Sequence, residues 1–73
     1  MSIYPNPSLS GIFKIKNAEN KVYKVQVSDI SGKIVFDKLV TDGIVNLSKQ
    51  NKGVYFVKVS DNEASFVDKV VVE

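Results

Sequence analysis

The sequence predicts an all-β sandwich of about seven short, mainly antiparallel strands, and three observations predict it. Apolar residues recur at period two rather than 3.6. The apolar segments are rich in Val, Ile, Phe and Tyr, the residues that suit a pleated, half-buried surface. Turn-forming clusters built on Gly, Pro, Asn, Asp and Ser interrupt them at close intervals, the rhythm of a sandwich.

Strands are expected at 12–16, 22–28, 33–40, 44–47, 54–60 and 65–72, preceded by a short one at 3–4. In the second of the longer segments Tyr23, Val25 and Val27 alternate with Lys24, Gln26 and Ser28, so the first set is expected to face the core. In the segment at 54–60, Tyr55, Val57 and Val59 share one face, while Val54, Phe56 and Lys58 share the other; both faces carry apolar residues, so alternation leaves the phase open, with Phe56 a candidate core member. The last segment is assigned a core face of Phe66, Val70 and Val72, with Asp68 at its rim. No segment shows a helical face, but one turn is expected at 47–51, with Asn46 or Ser48 near its start.

The turns follow from residue chemistry. Asp29-Ile30-Ser31-Gly32 predicts a type I turn in which the Asp29 carboxylate accepts backbone N–H bonds and Gly32 takes a left-handed conformation, giving a bulged hairpin. Gly53 is expected at a positive φ or a close approach as the chain enters the Tyr55 strand. In Tyr4-Pro5-Asn6-Pro7 the two prolines fix φ and end an edge strand, leaving Asn6 to bond the local backbone. Further turns are expected at 17–20, at Asp42-Gly43, at 50–53 and at Asp61-Asn62-Glu63. The last of these is a hairpin tip rather than a calcium loop.

Composition bounds the function. The 73 residues make one domain with no internal repeat or linker. There is no Cys to cross-link it and no His to staple it through zinc, so a small domain must rely on its patterned core. Without His or Cys there is also no imidazole base and no thiolate nucleophile. Ser with Lys is the sole nucleophile–base pair left, and neither stands in a catalytic motif, so the chain is expected not to be an enzyme and to need no cofactor. Ten scattered Lys and no Arg give a net charge of +2, which argues against a nucleic-acid partner that would want guanidinium forks. Lys14, Lys16, Lys24, Lys58 and Lys69 alternate with apolar residues and are expected on solvent faces or edges, where they discourage strand addition. A cationic docking face is the other use of such residues.

Three ordered motifs carry a family resemblance. They are Tyr4-Pro5-Asn6-Pro7 with Gly11-Ile12-Phe13; the run from Val25 to Lys33 that contains Asp29-Ile30-Ser31-Gly32; and Asn46-Leu47-Ser48, then Gly53-Val54-Tyr55-Phe56-Val57-Lys58-Val59, closing on Lys69-Val70-Val71-Val72. Together they resemble the C-terminal sorting domain of the type IX secretion system of Bacteroidetes-type bacteria, and the resemblance covers essentially the whole chain. It implies an Ig-like sandwich and a non-catalytic delivery tag. Such a tag sits at the C-terminus of a secreted cargo, is read by the outer-membrane translocon and its shuttle components, and is then removed by a sortase-like cysteine peptidase. The cargo is left secreted or on the cell surface. The residues that carry this expectation are Tyr4, Pro5, Asn6, Pro7, Gly11, Asp29, Gly32, Lys33, Gly53, Tyr55, Lys69, Val70, Val71 and Val72. The chain departs from many members by ending on Glu73 rather than on a basic residue.

On this reading the chain is a monomeric module of a longer secreted protein. Its terminal strand offers an edge with which a translocon can pair. The sequon Asn46-Leu47-Ser48 is then a chance match. An Ig- or fibronectin-like accessory module that binds carbohydrate is the alternative, and it would need exposed aromatics, for which only Tyr4 and Phe56 are placed.

Overall fold

The computed structural model describes residues 2–16 and 21–73. The turn expected at 17–20 lies outside them. Seven strands form in order: β1 (Ile3–Tyr4), β2 (Ile12–Ile15), β3 (Tyr23–Asp29), β4 (Ile34–Val40), β5 (Ile44–Asn46), β6 (Gly53–Ser60) and β7 (Ser65–Val72). Each lies within a residue or two of its expected span. Val22 stays outside β3 and is 57% exposed, because its side chain would fall on the solvent phase of that strand.

The strands make two antiparallel sheets, β1-β2-β5 and β4-β3-β6-β7. The fold is an Ig-like sandwich in which the fourth strand stays beside the third instead of crossing to the first sheet, which leaves three strands facing four. The inner faces interlock through Phe13, Ile15 and Val45 from the smaller sheet, Leu47 just after it, and Val25, Val27, Val57, Val59 and Val70 from the larger, all at most 1% exposed. Burying each such side chain stabilises the fold by about 1.5–3 kcal/mol.

Alternation assigns the face of β3, and the register against β3 decides the open phase of β6. Tyr23, Val25 and Val27 are buried, as are Tyr55, Val57 and Val59. Phe56 belongs to the solvent side, 41% exposed, because its register partner Ser28 lies on the outer face of β3. On β7, Val70 and Val72 are buried, Phe66 packs partly against the core and Asp68 is half-buried at its margin.

Candidate functional site

Several of the singled-out residues meet at one end of the large sheet. Asp29 on β3, Tyr55 on β6 and Val70 on β7 stand side by side in one row of the large sheet. Gly53 pairs with Val72 two positions further along. The β3–β4 hairpin supplies Gly32 and Lys33 here, and the segment after β1 supplies Asn6 and Ser8.

The hairpin forms as its residues dictate. The Asp29 carboxylate accepts the Ser31 N–H at 2.9 Å, the Ser31 hydroxyl at 2.6 Å and the Lys33 N–H at 3.0 Å, while Gly32 takes φ +89°. These donors, the Ser31 hydroxyl foremost and then the Lys33 and Ser31 N–H groups, together with the Lys33 charge, hold the Asp29 carboxyl below the ordinary aspartate range. The expected bulge is present, seen as a register shift between Val27 and Ser28 against β4. Gly53 has φ +150°, but no atom lies within 4 Å of where its Cβ would stand, so conformation rather than close approach selects glycine there. Tyr55 buries its ring and donates its hydroxyl to the carbonyl of Asn51, four residues upstream. The same arrangement in other sandwiches is a tyrosine corner at the start of the sixth strand.

Asn6 corrects the sequence reading. It does not bond the local backbone. Its amide nitrogen donates to the Lys69 carbonyl at 2.8 Å and its carbonyl oxygen accepts the Val71 N–H at 3.0 Å. Ser8 continues the same line, donating its N–H to the Val71 carbonyl and accepting from the Glu73 N–H, both at 2.9 Å, in a parallel bridge to Val72. The outer edge of β7 along residues 69–73 is therefore already paired, and the expectation of an open terminal edge is corrected with it. The physical reason is that a carboxamide presents N–H donors and a carbonyl acceptor side by side, so it can bond a strand's C=O and N–H together as a peptide group does. The peptide bonds preceding Pro5 and Pro7 are cis.

Ser8 is the residue that sequence reasoning missed. It is 1% exposed, the one polar residue in the core among those described. Its hydroxyl accepts the Gly11 N–H and donates to the Ile12 carbonyl, each at 3.1 Å. Gly11 in turn accepts the Leu47 N–H at 2.8 Å and sits at φ +78°. The Ser-x-x-Gly spacing, a hydroxyl three residues ahead of a backbone donor, was the available signal.

The other expected features are placed plainly. Asn46 accepts both the Ser48 N–H and hydroxyl, and the single turn that follows is closed by the Gln50 N–H on the Leu47 carbonyl. The Asp61 carboxylate accepts the N–H groups of Glu63 and Ala64 at the β6–β7 tip, which lowers its pKa. Lys14, Lys16, Lys24, Lys58 and Lys69 are all exposed. Tyr4 is 46% exposed, but it and Phe56 lie on different sheets and build no common aromatic platform.

Compared with protein families, residues 2–73 match the model described as "Secretion system C-terminal sorting domain". The chain belongs to that family. This type IX sorting domain places Asp29, Gly53 and Tyr55 at the end of the large sheet where β7 finishes. In this sorting domain Asn6 of the first motif is hydrogen-bonded to Lys69 and Val71 of the last. No curated protein was found to match it.

Proposed function

We propose that this sorting domain is a folded, non-catalytic and monomeric export tag, carried at the C-terminus of a cargo and read by the outer-membrane type IX machinery. The cargo enters from the N-terminal side, and a sortase-like peptidase removes the tag after passage, leaving the cargo secreted or on the cell surface. The observation that carries this reading is the family match over 2–73, supported by the hydrogen bonds that join Asn6 to Lys69 and Val71. The serine hydroxyl buried there is committed to Gly11 and Ile12, which suits a structural part.

The test is a periplasm-directed reporter fused ahead of this domain, in a cell possessing the secretion system. Export of the parent fusion is expected. Deleting residues 69–73 should retain the reporter in the periplasm, but that deletion also removes buried Val70 and Val72 and the partners of Asn6 and Ser8. A short Gly/Ser tail after Glu73 separates the two causes, because it leaves every core contact in place. Undiminished export of the tailed fusion shows that the body of the domain is read, while retention of the parent fusion refutes the proposal.

A further inference from the structure

Among the described residues, no segment packs on the outer face of the four-stranded sheet. Phe56 stands near its middle, 41% exposed, between Ser28 and Lys69, and Val67, 59% exposed, lies beside Lys58 on the neighbouring row. Lys24, Lys58 and Lys69 share this face and are exposed. Among the strand residues of the sheet, Asp37 is the single carboxylate on this side.

Both sheet edges beside it are closed to strand addition. On β7 the residues 6–8 occupy the outer edge near the C-terminus. Farther along that strand Asp68 points to the inner face, and on β4 the Lys38 side chain does the same, over the Phe36 ring. Inward charges on edge strands penalise a docking strand. A partner is thereby directed to the face. Strands rise ~3.3 Å per residue and stand ~4.8 Å apart, so eight residues by four strands make a face of roughly 500 Å², the size of one side of a transient contact.

We propose that this face is the surface through which the tag is read, and that its partner is a protein surface with acidic groups around an apolar centre that receives Phe56. The proposal rests on the sorting reading and names the surface within it. Charge selects the partner: a second copy would set the same three lysines against themselves, whereas carboxylates opposite them steer the encounter and fix its register. The apolar centre and cationic rim match the anatomy of a protein contact.

The reporter fusion tests it. Lys58→Glu with Lys69→Glu should cut the exported fraction at least about tenfold, since each rim lysine then repels the partner. Lys14→Glu with Lys16→Glu, which makes the same charge change on and beside the other sheet, should export as the parent does. Lys58→Arg with Lys69→Arg keeps the charge and should export normally. Denaturant midpoints equal to the parent's establish that each variant is folded, and the Arg pair carries the test if the Glu pair is not.

Parent-like export of a folded Glu pair, an equal loss in both Glu pairs, or loss in the Arg pair would overturn the assignment. Sedimentation of the purified domain with phosphatidylglycerol vesicles, abolished by the Glu pair, would place a membrane on this face and overturn it too. Retention of the parent fusion is the distinct outcome that removes the sorting reading and this surface with it.

Discussion

The Asn6 side chain and the backbone of Val71, 65 positions apart, are joined by a 3.0 Å hydrogen bond, and the same carboxamide holds the Lys69 carbonyl at 2.8 Å. A side chain here occupies the place that a backbone amide of an added strand would take. With Ser8 behind it, the pair seals the end of the large sheet by a segment that belongs to neither sheet except through Ser8's single bridge.

Replacing Asn6 by Ala should therefore loosen the C-terminal strand more than its solvent exposure implies. Two hydrogen bonds are lost, and water reaches both orphaned groups, so the expected cost is about 1–2 kcal/mol. Amide exchange at Val71 should accelerate relative to that at Val57. Unchanged exchange at Val71 would contradict the latch.

Gly11 and Gly32 separate conformational strain from steric closure. Both have positive φ, +78° and +89°. A Cβ on Gly32 meets nothing within 4 Å, whereas one on Gly11 would stand 2.9 Å from the Ser48 Cα and 3.0 Å from the Leu47 carbonyl oxygen. Gly32→Ala should cost about 1–2 kcal/mol for the left-handed conformation alone. Gly11→Ala should cost at least ~1 kcal/mol more, because the opposing atoms are backbone and the Leu47 N–H is bonded to Gly11 itself. Equal denaturation midpoints for the two variants would disprove the distinction.

Acid should weaken the fold through its turns. The folded-state pKa values of Asp29 and Asp61 are lowered, for Asp29 chiefly by the Ser31 hydroxyl and for Asp61 chiefly by the Glu63 N–H. A depressed folded pKa means that the unfolded chain binds the proton more readily. The contribution is thus present above the unfolded value of about 3.9 and is lost as pH falls through the folded one. The denaturation midpoint should contain no component from these two groups between about pH 7 and 5 and should fall below about pH 4. Asp29→Asn with Asp61→Asn should make that fall shallower, and a slope equal to the parent's would refute the assignment.

Lys38 guards the edge at β4. Its ammonium lies 4.9 Å from the centre of the Phe36 ring, on the inward side of an edge strand that also carries the bulge. Lys38→Val should leave the monomer as stable as before or more so, since only about 0.5–1 kcal/mol of cation–π attraction is removed and apolar area is added next to Phe36. It should also let copies associate as concentration rises, measured by light scattering. A variant that remains monomeric throughout would dismiss the guarding role.

Local chemistry was enough to place seven strands, their inner faces and the Asp29 turn. Alternation such as Tyr23, Val25, Val27 is written in adjacent residues, and Asp29 finds its donors at Ser31 and Lys33, two and four residues away. Where two apolar phases overlapped, as at Val54 and Phe56, the pattern was silent, and the register against Ser28 decided the face. The tertiary structure alone decided that β4 stays with β3, that Ser8 is buried and that Asn6 reaches β7. Those outcomes depend on which strands become neighbours when the chain closes. A carboxamide or hydroxyl has the same bonding capacity wherever it lies, so its partner is set by the groups that closure leaves opposite it, and that information is spread over the whole sequence rather than held near residue 6.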